Sequence, residues 1–205
     1  MKWNIPNILT VSRLFLALIL LMLIGMPYPL TKTLALLVFV AAGITDFLDG
    51  HLARNVYGVT AFGRLMDPLT DKVLVCSALV SFVGIRLPGW DRPLLPVWIV
   101  VVVISREFLV TGLRLLASSM GHIIAAGRWG KHKTVWQIIA ISVILLGLAV
   151  RYDVLGHLSP AALEKYDFAF GLIAYAVGLA VTMITVASGA MYFAEHTELL
   201  RHKIQ

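Results

Sequence analysis

Six stretches of almost unbroken apolar residues organise the chain: Ile8–Met26, Leu34–Arg54, Asp67–Ile85, Leu94–Ala117, Thr134–Val150 and Phe168–Phe193. Each is close to the roughly 20 residues that an α-helix needs to cross a bilayer. Pro27 and Pro29, Pro88 and Gly89, and Ser159 and Pro160 punctuate the connections, none of which is long enough for a separate domain. Residues 1–205 therefore read as a single membrane domain, with no obvious repeat or low-complexity tract. Lys2 followed by apolar Leu14–Ile24 has the outline of a secretory signal, but Gly25-Met26-Pro27-Tyr28-Pro29 offers no small-x-small cleavage site and Arg13 interrupts the run. A retained first span is expected.

Composition sharpens that picture. Hydrophobic residues make up 60% of the chain and charged residues 14%, and the mean hydropathy is +0.89. A soluble globular chain lies nearer half apolar and a quarter charged, so a soluble enzyme and a disordered chain are both excluded. The expectation is an all-α integral membrane protein with six transmembrane helices. The net charge of +6 would suggest nucleic acid in a soluble chain. Here the cations sit mostly between apolar runs, where they set topology and meet anionic headgroups of membrane lipids, and no nucleic-acid partner is expected.

The sides are unequal. Lys2, Arg54, Arg64, Arg128, Lys131, Lys133, Arg201 and Lys203 share the side of the two termini. Lys32, Arg86, Arg92, Arg151 and Lys165 lie opposite, diluted by Asp91, Asp153, Glu164 and Asp167. That excess predicts both termini in the cytoplasm, in the cytoplasmic (inner) membrane. The single cysteine, Cys76, excludes an internal disulfide and a multi-cysteine metal site. The histidines show no paired ligand spacing, and His51 reads as a bystander.

Charges within apolar spans are costly and by default functional. Of eleven acidic residues, Asp46, Asp49, Asp67 and Asp71 fall in one 26-residue window. At about 100° per residue, Asp46, Asp49, Gly50 and Ala53 share one helix face, and Gly63, Asp67 and Asp71 line a second, one turn apart each. The short connection Asn55–Phe62 makes the two helices antiparallel neighbours, so the faces can converge. Four converging carboxylates cannot all ionise alone. Divalent cations resolve the conflict, and an all-oxygen donor set suits Mg²⁺ or Mn²⁺. A pair of such ions would bind phosphate oxygens and stabilise displacement at phosphorus. The alternative is four acids that cap helix ends or pair with Arg54, Arg64 and Lys72.

The window resembles the signature of the CDP-alcohol phosphotransferase family, D-x2-D-G-x2-A-R-x8-G-x3-D-x3-D. All eight fixed positions are filled, by Asp46, Asp49, Gly50, Ala53, Arg54, Gly63, Asp67 and Asp71. The resemblance implies that Asp46, Asp49 and Asp67 hold two metal ions on the pyrophosphate of a CDP-linked lipid. It implies that Asp71 lies near the metals and acts as general base on an acceptor hydroxyl. Gly50, Ala53, Arg54 and Gly63 would shape the cytidine diphosphate pocket, CMP would leave, and the protein would be a homodimer.

The acceptor is addressed by later residues. Arg106 and Arg114 are about 12 Å apart along one helix at 1.5 Å per residue, and Gly130-Lys131-His132-Lys133-Thr134 opens the next span on the same side. These cations could neutralise an acceptor phosphate; the alternatives are a topology signal for the lysines and Glu107 or an Asp as partner of Arg106. Both stretches, with Asn4–Arg13 and Asp67–Lys72, resemble the branch of the family that uses CDP-diacylglycerol and glycerol 3-phosphate and makes phosphatidylglycerol phosphate. Asn7, Thr10 and Arg13 share a helix side expected at the mouth of the site, with a snorkelling Arg13 as the alternative. Two other functions compete: a cardiolipin synthase of the same fold with phosphatidylglycerol as acceptor, and a divalent-cation transporter using the aspartates as its ion path.

Overall fold

The computed structural model describes residues 5–52, 61–119 and 128–195, apart from the side chains of 5–7, 9–10, 46–52, 61–68, 71, 119, 128–131 and 195. Among the described residues the chain forms six α-helices: α1 Ile5–Gly25, α2 Thr31–Leu52, α3 Ala61–Gly84, α4 Val97–Ser119, α5 Arg128–Ala149 and α6 Pro160–Glu195. Each coincides with one of the six apolar runs. A π-helical turn, Val150–Val154, ends α5. Between α3 and α4 a small antiparallel hairpin pairs β1 (Arg86–Leu87) with β2 (Trp90–Pro93).

α1 packs along both α2 and α3, α5 lies between α2 and α6, and α4 rests on α3 and α6. The contacts follow from helical spacing. Arg13, Ala17, Leu20 and Ile24 form the buried stripe of α1; Ala35, Phe39 and Ala42 form that of α2; Val75, Ala78 and Phe82 lie along that of α3. Each step is three or four residues, which keeps side chains on one face. Meanwhile Phe15, Met22, Leu37, Leu109 and Met183 are exposed, while Arg13, Glu107, Lys133, Gln137 and Asp167 are buried. Large apolar side chains on the outside, together with charged groups buried in the bundle, are the reverse of a protein that meets water on all sides. His132–Val154 and Pro160–Ala194 are long and apolar enough to cross a membrane, and Val11–Gly25, Thr31–Thr45 and Lys72–Gly84 are shorter apolar helices.

Two local features go beyond the apolar pattern. The last helix begins at Pro160, eight residues before the apolar run, because Ser159 accepts the first helical hydrogen bonds from Ala162 and Leu163 at 3.0 and 3.1 Å. Proline suits that first position, since its missing N–H would lack an intrahelical partner there. The added turns are polar, and they bring Asp167, wholly buried, onto Arg151 of the π turn (Nη2 to Oδ2, 3.0 Å). The second feature is the hairpin. It settles on α6: Trp90 stacks edge-on against Phe168 at 5.9 Å and covers Gly171, where an added Cβ would stand 2.4 Å from the indole. Gly178 of the same small-residue stripe receives Leu95, and Ala174 between them is fully buried. The stripe is therefore occupied within the chain.

Candidate active site

Of the signature residues, 46, 49 and 50 lie on α2, and 63, 67 and 71 lie on α3. Ala53 and Arg54, and the side chains of the four aspartates, fall outside the described residues. The helical positions of 46, 49, 67 and 71 are set by the two helix registers. On α2 the buried residues step through 35, 39 and 42, and the same register continued reaches positions 46 and 49 of that helix. On α3 the buried residues run back through 82, 78 and 75, and the register continues through 71, 67 and 63. Both buried faces adjoin α1.

Asn7 and Thr10 lie on the first turns of α1, with side chains outside the described residues. Arg13, one turn further, is only 1% exposed. A snorkelling arginine would reach outward to water; this one belongs to the buried stripe of α1, on the side shared with α2 and α3.

Beneath the aspartate end a second group of charges is buried. Glu107 of α4 is 2% exposed and takes cations from two other helices. Lys72 of α3, next in sequence to Asp71, brings its Nζ to 2.7 Å of Glu107 Oε2. Lys133 of α5, itself 2% exposed, pairs with Oε1, and Arg106 Nη1 lies 3.8 Å from the same oxygen. Arg106 also donates from Nη2 to Ser188 Oγ of α6 at 3.1 Å. Gly189 permits that approach: a Cβ there would stand 3.2 Å from the arginine stem. Gln137, Thr185 and Ser188 are buried polar groups of the same end of α5 and α6.

Two of the predicted acceptor residues, Arg106 and Lys133, thus meet through Glu107. Arg114 is exposed, two turns along α4, and the side chain of Lys131 lies outside the described residues. Sequence reasoning gave Glu107 only as a partner for Arg106 and treated Lys72 as a countercharge to the aspartates. The glutamate's position in an apolar run was the available signal. Its other partners come from helices distant in sequence, which spacing within one segment does not disclose.

Comparison with known proteins decides the family. The family model described as CDP-alcohol phosphatidyltransferase matches residues 3–192. The chain belongs to that family. Among curated members it is similar to a Bacillus subtilis (strain 168) protein named CDP-diacylglycerol–glycerol-3-phosphate 3-phosphatidyltransferase, with 36% identity over 97% of this chain and 98% of the relative. Proteins of the same name from Haemophilus influenzae (37% identity, 75% of this chain and 79% of the relative) and Pseudomonas fluorescens (38%, 69% and 72%) are also similar. CDP-alcohol phosphatidyltransferases generally use divalent metal ions, and the all-oxygen donors at 46, 49, 67 and 71 of this member suit such ions.

Proposed function

We propose that the chain is an integral membrane enzyme that transfers the phosphatidyl group of CDP-diacylglycerol to glycerol 3-phosphate, giving phosphatidylglycerol phosphate and CMP. The observation that carries the proposal is similarity to the Bacillus subtilis relative of that name along 97% of this chain, which includes the whole aspartate signature.

The acidic residues Asp46, Asp49, Asp67 and Asp71 would hold two Mg²⁺ or Mn²⁺ ions. Their positions continue the buried registers of α2 and α3, and carboxylates are the donors such hard cations take. Bound there, the ions would supply charge neutralisation at the pyrophosphate. Arg54 contributes a fixed guanidinium fork for a phosphate oxygen, while Gly50, Ala53 and Gly63 leave room for the nucleotide. Asp71 accepts the proton of the acceptor hydroxyl, because an alcohol is too weak an acid to attack without a base in reach. The hydroxyl oxygen forms a bond to the phosphorus that carries diacylglycerol. The bond from that phosphorus to the bridging oxygen breaks, and CMP departs with the electron pair.

The cluster around Glu107 favours a phosphorylated acceptor. Lys72, Arg106 and Lys133 converge on Glu107, which places three cations together beside the signature positions. A phosphate monoester carries close to two negative charges at neutral pH, whereas phosphatidylglycerol carries one and offers no terminal phosphate. Arg114 and Lys131 complete the basic approach, with Asn7, Thr10 and Arg13 at its mouth. Six spanning helices with both termini in the cytoplasm would put the site on the cytoplasmic face, and a homodimer is the expected assembly.

The test is turnover by purified protein with Mg²⁺ or Mn²⁺. Labelled glycerol 3-phosphate should enter lipid with stoichiometric CMP release; dependence on added phosphatidylglycerol would instead identify a cardiolipin synthase. Asp67→Asn should abolish CMP release while the protein stays folded. Turnover at the unmodified rate would reject the metal assignment.

A further inference from the structure

A cavity of about 740 Å³ opens at the end of the bundle opposite the aspartates. It lies where α1 stops at Gly25 and the chain turns through Pro27 and Pro29 into α2, beside the end of α3. Gly25 and Gly84 border it, and a Cβ built at either would meet no atom within 4 Å. Its walls are mostly apolar, with Leu21 and Ile24 of α1 and Ile85 beyond α3. Leu21 is exposed, so one wall runs into the outward apolar surface of α1.

Two cations mark the other wall. Lys32 is buried, and its ammonium donates to the carbonyls of Leu23, Ile24 and Met26 at 3.3, 2.5 and 2.7 Å. It thereby caps the C-terminus of α1. Those bonds use the three donors of the group, so Lys32 contributes positive potential but no free N–H. Its potential is moderated by Asp153, which accepts from the backbone N–H and the hydroxyl of Thr33, both at 2.7 Å. Arg86 differs. It is exposed at the start of the hairpin, and its guanidinium makes no hydrogen bond or ion pair to the described residues. Five donors in a planar fork suit a phosphate better than any other cation the chain could place there. Tyr152 adds a ring face to the cavity, with Lys32 5.7 Å and Arg151 5.4 Å from its centroid.

We propose that this cavity binds an anionic phospholipid of the leaflet opposite the active site, with its phosphate on Arg86 and an acyl chain along Leu21 and Ile24. The combination of an open cationic fork, a buried positive charge and an apolar wall continuous with the outer surface matches an amphiphile with an acidic head. A zwitterionic lipid would bring its own cation against Arg86 and Lys32, and a soluble phosphate would leave the apolar wall unused. The site presupposes the transmembrane placement proposed above.

The experiment is native mass spectrometry of the full-length protein in detergent, titrated with phosphatidylglycerol or phosphatidylcholine. CMP release is measured in parallel, because neither Arg86 nor Gly25 belongs to the catalytic machinery. Wild type should retain phosphatidylglycerol about tenfold more strongly than phosphatidylcholine, and Arg86→Ala should remove most of that preference with CMP release unchanged. Gly25→Trp, which sets an indole into open space beside the cavity, should lower retention of the lipid. Unchanged preference in Arg86→Ala with unchanged retention in Gly25→Trp would overturn the proposal, as would full displacement of the lipid by inorganic phosphate. Failure of the transmembrane reading shows separately, as release of the wild-type chain from membranes by alkaline carbonate.

Discussion

Glu107 is a carboxylate in an apolar helix, and it is tolerable there only because cations surround it. Glu107→Gln removes the counter-charge that Lys133 meets in a place where the lysine is 2% exposed. The expected loss is about 3–5 kcal/mol of stability, the usual result of breaking a buried pair from one side. In the double variant Glu107→Gln/Lys133→Met the loss should fall short of the sum of the singles by about 0.5–3 kcal/mol. Denaturant unfolding in detergent measures both, and strict additivity would show that the two groups are not coupled. Lys133→Ala bears on the acceptor instead. It should raise KM for glycerol 3-phosphate about tenfold, the loss of one charged hydrogen bond, with a smaller change in kcat. A rise confined to the KM for CDP-diacylglycerol would place Lys133 on the other substrate. The aspartates were legible because one short window fixes residue type and spacing together. The work of Lys72 and Glu107 was not, since an ion pair between helices leaves no periodic trace in either.

Helix contacts were legible in outline and incomplete in detail. Apolar runs located all six helices, because burial in lipid or in the bundle demands the same side chains. They missed the first turns of α6, where Asp167 is held by Arg151 rather than by an apolar surface. They also could not assign the glycines. Gly147 of α5 receives the ring of Phe170, and a Cβ would stand 2.1 Å from it. Gly147→Ala should therefore destabilise the protein by about 1–3 kcal/mol through overpacking. Gly43 of α2 is the control, since a Cβ there meets nothing within 4 Å. Gly43→Ala should be neutral or stabilising by up to about 1 kcal/mol, from reduced backbone entropy in the unfolded chain. Thermal midpoints of the two variants in the same detergent separate the effects. Equal losses would mean that the Phe170 ring does not press on Gly147.

At the scale of the molecule the two ends of the bundle have different chemistry. One gathers the signature positions and the Glu107 cluster; the other carries the Lys32 cap, the Arg151–Asp167 pair and the hairpin. Charge explains how such a bundle would be oriented. Unpaired basic residues near span ends resist translocation, whereas Arg151 and Lys32 are already engaged by Asp167 and by the carbonyls ending α1. With these cations paired, the far side would carry less free positive charge, which supports the proposed cytoplasmic placement of the aspartate end. Labelling of single cysteines in a Cys76→Ser background tests this. Ser159 and Ser118 are both exposed, the first before α6 and the second near the end of α4 at the aspartate side. With a membrane-impermeant maleimide on intact cells, Ser159→Cys should react. Ser118→Cys should react only after the membrane is opened. The inverse pattern would place CDP-diacylglycerol and the acceptor on the side away from the cytoplasm, where neither nucleotide-linked lipid synthesis nor glycerol 3-phosphate could supply the site, and the proposed reaction would fail with it.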